Sequence, residues 1–122
     1  MLSVTKKFDF CYGHCLPGHK GKCKNTHGHN STLEVELVST ETTDKMNIYD
    51  GMIIDFGDLK NLVKETIIDR LDHQYLNEIL EVNPTAENLV KWTVRELQNV
   101  FGKSLVRVRI YETPDSYAEW RL

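Results

Sequence analysis

Two long stretches of period-two alternation constrain the architecture of this chain more than any other feature. In residues 3–14, Val4, Phe8, Phe10 and Tyr12 share one parity, while Lys7 and Asp9 hold the other. In residues 27–39, Leu33, Val35 and Leu37 alternate with Thr32, Glu34 and Glu36. Successive side chains of an extended backbone point to opposite faces, so each stretch predicts a strand with one apolar face. Residues 16–26 between them are rich in Gly, Pro and Lys and predict a loop. Joined antiparallel across that loop, the strands bring three histidines to the apolar side at one end: His14 from the first, His27 and His29 from the second. Side chains facing each other across such a pair lie about 5 Å apart, close enough to share an ion.

The rest of the chain supplies what covers that face. Residues 40–52 read as a polar loop. A helix opens at Asp55 or Gly57 and runs to about Arg70, with Leu59, Leu62, Val63, Ile67 and Leu71 as its apolar stripe. Residues 72–84 form an irregular link ending at Asn83-Pro84. Thr85 caps a second helix, Glu87 sits in its first turn, and Leu89, Val90, Thr93, Leu97, Val100 and Phe101 face inward until Gly102 ends it. Residues 104–112 alternate Val106, Val108 and Ile110 with Arg107, Arg109 and Tyr111, a third strand, and residues 117–122 form a last one. The order strand, strand, helix, helix, strand, strand predicts an α+β fold, a four-stranded antiparallel sheet with two helices on one face. On the other face Glu34 and Glu36 are expected to meet Arg107 and Arg109. Such a charged face suits solvent or the polar interior of an assembly, and closing open sheet edges into a barrel would remove a hazard.

Composition narrows the function classes. A chain of 122 residues predicts a single domain, residues 1–122. A net charge of −3, with 40% apolar and 27% charged residues, argues neither for nucleic acid nor for an anionic membrane surface. No apolar run approaches a bilayer span and no secretory pattern opens the chain, so a cytoplasmic location is expected. In that setting Cys11, Cys15 and Cys23 point to metal or catalytic use rather than disulfides. Cys11 and Cys15 lie on the parity opposite to His14 and read as packing residues.

The chemistry concentrates around the histidines. Three imidazoles fill three of the four positions of a tetrahedral zinc ion and leave one open, the mark of a catalytic site. A carboxylate-free imidazole set favours zinc over magnesium or calcium, with iron and nickel as the alternatives. Cys23 lies four residues before His27, flanked by Lys20, Lys22 and Lys24. Neighbouring positive charge favours a thiolate, the form needed of a proton-abstracting base. The same thiol could instead be a fourth zinc ligand closing a structural site, or an inert thiol. Asp72-His73 offers either a helix-end histidine or a second acid/base group set by its carboxylate. Glu112 ends the third strand on its apolar parity, where a carboxylate must be paired. It is either in a salt bridge, as to Arg121, or an anchor gripping an amidine-like ligand edge through two hydrogen bonds. The lysine loop is either solvated or a contact for polyphosphate.

These residues resemble the 6-pyruvoyl-tetrahydropterin synthase and 6-carboxytetrahydropterin synthase family over nearly the whole chain. The likeness rests on Phe10…His14, on Cys23-Lys-Asn-Thr-His27-Gly28-His29, and on Met52-Ile-Ile-Asp55-Phe56 with Asp58-Leu59-Lys60. It continues through Leu71-Asp72-His73, Leu76-Asn77, Asn83-Pro84-Thr85-Ala86-Glu87-Asn88 and Tyr111-Glu112-Thr113. The resemblance implies the tunnelling fold, with three subunits closing a barrel and two trimers stacking into a homohexamer. It implies zinc on His14, His27 and His29, with Cys23 as proton acceptor and Asp72 and His73 as its relay partners. Glu112 would be the pterin anchor, itself counted in the relay. The substrate implied is 7,8-dihydroneopterin triphosphate.

The Met-Ile-Ile-Asp-Phe segment and Arg70-Leu-Asp-His-Gln-Tyr-Leu-Asn resemble the bacterial carboxy branch. That branch releases acetaldehyde and triphosphate and feeds queuosine and other 7-deazapurines. The alternatives are the pyruvoyl branch, which eliminates triphosphate and keeps the side-chain carbons, a non-catalytic pterin- or metal-binding module, and a structural zinc protein. Two positions depart from the family pattern: Tyr12-Gly13 stands where many members carry two alanines, and Ser31 where an aromatic residue often follows.

Overall fold

The computed structural model describes residues 1–122. Its first hairpin is the one the alternation predicts. β1 (Ser3–His14) pairs antiparallel with β2 (His27–Val38) in continuous register, from Ser3↔Val38 to His14↔His27. Continuity matters here, because a slip of one residue would send a histidine to the other face. β4 (Leu105–Thr113) pairs with β2, and β5 (Ser116–Arg121) with β4, both antiparallel. The sheet has five strands rather than four, because β3 (Gln74–Tyr75) lies parallel to β1 and gives the order β3-β1-β2-β4-β5. Two residues carry no readable alternation, which is why the sequence leaves them inside the irregular link.

Residues 40–52 are not loop throughout. α1 (Glu41–Met46) buries only Thr43, so no apolar stripe marks it. Capping starts it instead. Thr42 N–H donates to Thr40 Oγ1 at 3.2 Å, and Thr40 N–H donates to Thr43 Oγ1 at 2.9 Å.

α2 (Phe56–Val63) begins at Asp55, whose carboxylate accepts the N–H groups of Gly57 and Asp58 at 2.8 and 3.1 Å. It passes into a wide π turn at Lys64–Ile68 and then α3 (Asp69–Leu71). Leu59, Val63, Ile67 and Leu71 are all buried, each four residues beyond the last. Residues four apart advance about 40° around an ideal α-helix, so this stripe would drift off one face. The wide turn resets it. α4 (Ala86–Phe101) is capped by Thr85, which accepts Asn88 N–H at 3.1 Å, and stops at Gly102, where φ is 54°.

The helices cover one face of the sheet. Phe10, Tyr12, Leu33, Val35, Leu37, Val108 and Ile110 meet Leu59, Val63, Ile67, Leu89, Leu97 and Phe101 in one core. The opposite face carries the expected ion pairs with one redistribution. Arg107 bonds both Glu36 (Nε, 2.7 Å) and Glu34 (Nη1, 2.9 Å), while Arg109 pairs with Glu119 at 2.7 Å and only reaches Glu34 at 4.0 Å. No helix is long and apolar enough to cross a membrane.

Candidate metal centre

β1 ends and β2 begins at one point of the sheet, so His14 and His27 are register partners, and His29 returns to the same face two residues on. Their Nε2 atoms converge. His14 Nε2 lies 2.9 Å from His27 Nε2 and 3.2 Å from His29 Nε2. Two of the rings are held from behind. His14 Nδ1–H donates to the Pro84 carbonyl at 2.8 Å and His27 Nδ1–H to the Asn25 carbonyl at 2.7 Å. A carbonyl partner assigns the proton to Nδ1 and leaves Nε2 with its lone pair aimed inward, the arrangement typical of a ligating histidine.

Two inward lone pairs with a third ring nitrogen beside them repel unless a cation or a proton lies among them. A zinc ion with nitrogen ligands at about 2.0–2.1 Å sets those nitrogens about 3.3 Å apart in a tetrahedron, within a few tenths of the spacing here. The three donors could therefore hold one metal ion. Burial pushes the His14 and His29 imidazoles below their ordinary value, which favours the neutral, ligating form.

The departures from the family pattern sit at this wall. Tyr12 is buried and packs edge-on to His14, with ring centroids 5.2 Å apart. A Cβ on Gly13 would find its nearest neighbours at 3.6 and 3.7 Å, so an alanine fits there. Ser31, buried, donates to the Tyr111 carbonyl and ties β2 to β4 beside the cluster.

Glu112 joins the histidines from β4. The register between β4 and β5 shifts between Tyr111 and Thr113, which leaves Glu112 as the extra residue of a bulge. Bulges re-aim side chains next to functional sites. Here Glu112 Oε1 comes within 3.4 Å of His29 Nε2 and 3.6 Å of His14 Nε2. It is not paired with Arg121, which bonds Glu119 at 2.7 Å. Glu112 also lines a cavity of about 540 Å³ with Glu87, Val90, Lys91, Tyr117 and Trp120. One carboxylate thus faces both the imidazole cluster and an open, partly aromatic cavity.

Cys23 is half-buried in the single helical turn Lys22–Lys24, and its carbonyl accepts Leu16 N–H at 2.7 Å. Its sulfur is not among the donor atoms that converge with the three imidazoles. Asp72 and His73 do meet, with Asp72 Oδ1 3.1 Å from His73 Nδ1. The thiol beside them in space is Cys11, whose polar contacts correct its reading as a packing residue. Cys11 Sγ lies 3.5 Å from His73 Nε2 and 3.7 Å from Asp72 Oδ1.

The backbones are joined as well. Cys11 N–H donates to Asp72 Oδ1 at 3.0 Å, and His73 N–H donates to the Cys11 carbonyl at 2.7 Å. The Cys11 N–H bond is the main reason the Asp72 carboxyl sits below its ordinary value, with the His73 contact adding to it. β3 causes this meeting, since its parallel pairing lays the Asp72-His73 corner against the edge of β1. Parity shows only that Cys11 leaves the apolar face, and its partners lie 61 and 62 residues away. Cys15 is likewise more than packing. Its sulfur accepts from Tyr75 Oη–H at 3.1 Å and Asn77 Nδ2–H at 3.4 Å.

The profile of the 6-pyruvoyl tetrahydropterin synthase family matches residues 3–122. This chain belongs to that family. A family relative from Haemophilus influenzae, named 6-carboxy-5,6,7,8-tetrahydropterin synthase, is 32% identical over 142 residues, covering 99% of both chains. One of the same name from Rickettsia typhi is 34% identical over 145 residues, covering 98% of this chain and 99% of the relative. The structure of the Caenorhabditis elegans 6-pyruvoyl tetrahydropterin synthase superposes with a TM-score of 0.82 at 25% identity, covering 99% of this chain and 95% of that one. The α+β tunnelling fold expected from the resemblance is the fold of this family member.

Proposed function

We propose that this chain is a zinc-dependent lyase. It converts 7,8-dihydroneopterin triphosphate to 6-carboxy-5,6,7,8-tetrahydropterin with release of acetaldehyde and triphosphate, in the cytoplasm, as a step toward queuosine and other 7-deazapurines. The observation that carries the reading is the convergence of three Nε2 atoms beside Glu112. End-to-end likeness to relatives named for this product favours the carboxy branch over the pyruvoyl one.

His14, His27 and His29 would hold the ion. When bound, zinc supplies Lewis acidity toward the substrate's side-chain hydroxyls. Glu112 accepts two parallel hydrogen bonds from the amidine-like edge of the pterin and fixes its orientation. Cys23 takes the proton from the side chain, and His73, set by Asp72, moves protons on the other side. Within one chain Cys23 makes no hydrogen bond to Asp72 or His73, so the relay requires a neighbouring subunit. The charged sheet face and the open edges at β3 and β5 suit the homohexamer in which such neighbours would meet.

Incubating the zinc-loaded protein with 7,8-dihydroneopterin triphosphate tests the reading. Acetaldehyde and a 6-carboxypterin in equal amounts are expected. A pyruvoyl product without acetaldehyde overturns the branch, and no turnover at all returns the chain to the binding-module alternative.

A further inference from the structure

We infer that Tyr12 is a positioning residue of the metal centre: its buried ring holds the His29 and His14 imidazoles in their converging pose, in space that the small Ser31 leaves free. The inference rests on the metal reading proposed above, and its test separates the two. His14 and His27 each donate from Nδ1 to a backbone carbonyl, that of Pro84 and that of Asn25. His29 has no such bond. Its Nε2 meets His14 Nε2 at 3.2 Å and Glu112 Oε1 at 3.4 Å, while its Nδ1 bonds nothing within the chain. Ligating imidazoles are normally oriented by a partner on the second nitrogen, so the direction of this ring needs another cause.

Tyr12 supplies it by packing. It is the register partner of His29 across the hairpin, and their ring centroids lie 5.6 Å apart at 52°. On its own strand it meets His14 edge-on at 5.2 Å and 81°. On its other side it meets Phe10 at 5.7 Å. All three separations fall within the range of about 4.5–7 Å at which aromatic rings attract. Tyr12 is 3% exposed and Phe10 5%, so the phenol has no room to swing away. Turning the His29 ring would displace a side chain already wedged between Phe10 and His14.

Ser31 makes the room. Phe10 faces Ser31 and Tyr12 faces His29, so Tyr12 and Ser31 are diagonal neighbours on one face of the hairpin. Ser31 is buried, its hydroxyl donates to the Tyr111 carbonyl, and it lies beside the phenol. A ring at position 31 and a ring at position 12 would compete for the same volume. The two departures from the family pattern are then one change, with the aromatic ring of this wall standing on β1 instead of β2. Gly13 is no part of it, since an added Cβ there meets only ordinary contacts.

The test combines cobalt(II) titration, read by visible absorption, with metal-free thermal melts of the full chain. The variants are Tyr12→Phe, Tyr12→Ala, Ser31→Phe and the double Tyr12→Ala with Ser31→Phe. Tyr12→Phe is expected to keep cobalt affinity within about threefold, because the ring remains, and Tyr12→Ala to lose about 10–100-fold, the size of an outer-shell loss. Ser31→Phe lowers the melting temperature by overpacking. The double variant melts higher than either single variant and regains about tenfold or more of the affinity lost in Tyr12→Ala. It carries the test even where Tyr12→Ala alone does not fold. Equal cobalt affinity in Tyr12→Ala and the unsubstituted protein overturns the positioning role. So does a double variant less stable than both singles, or a loss in Tyr12→Phe as large as in Tyr12→Ala. An unsubstituted protein that binds no cobalt refutes the metal reading itself and takes this inference with it.

Discussion

Replacing His29 with alanine should weaken the coupling between zinc and folding several-fold while leaving the fold in place. Zinc that binds only the folded chain stabilises it by RT ln(1 + [Zn]/Kd), about 2.7 kcal/mol at a hundredfold excess over Kd. Unfolding entropy near the midpoint is about 2.1 cal/mol/K per residue, or about 0.26 kcal/mol/K for 122 residues. The unsubstituted protein should therefore melt about 10 °C higher with zinc than without. Loss of even an outer-shell partner weakens a metal site about 10–100-fold, and His29→Ala removes one of three converging nitrogens. At the same zinc concentration a hundredfold weaker site gives about 0.4 kcal/mol, a shift below about 2 °C. The His29 side chain already lines a cavity of about 580 Å³, so its removal enlarges an existing opening. The assay is a thermal melt with and without zinc, with magnesium as the control cation. A zinc shift of equal size in both proteins, or none in the unsubstituted one, refutes the reasoning.

Other outcomes follow from the same geometry. Cys23→Ala should keep the zinc-dependent melting shift and lose about 10²–10⁴-fold in turnover, as expected for a proton acceptor that is not a ligand; parallel loss of both would make it a ligand. Arg107→Met leaves the buried Glu34 carboxylate with only Lys7 at 3.5 Å and Arg109 at 4.0 Å. Chemical denaturation should show a loss of about 2–3 kcal/mol, and a loss under about 1 kcal/mol would mean the pair is dispensable. Asp72 sits below its unfolded value of about 3.9, so its stabilisation is complete above that pH and is lost as the pH falls through the folded value. An NMR titration should place the Asp72 midpoint below about 3.9, and a midpoint at or above it contradicts the Cys11 N–H bond as the cause.

What the sequence made legible was periodic or capped. The parity of Phe10, Tyr12 and His14 against His27, His29 and Leu33 carried the hairpin and the metal cluster together, because the same alternation that buries leucines also aims imidazoles. Thr85 and Gly102 bounded α4 through local chemistry. The five-strand sheet was not legible, because Gln74–Tyr75 is too short to alternate and owes its place to β1. α1 was missed because it has caps and no stripe. The approach of Glu112 to the histidines depends on a bulge, which shifts aim without leaving a pattern. Cys11 meeting His73 is a contact between distant segments that neither segment announces.

Zinc-edge X-ray absorption of the loaded protein tests most directly whether three imidazoles hold the ion with a fourth position free of sulfur. A first shell of nitrogen and oxygen alone, near 2.0–2.1 Å with imidazole outer-shell scattering, is the predicted result. A sulfur neighbour at about 2.3 Å would put a cysteine on the metal and contradict the open catalytic site.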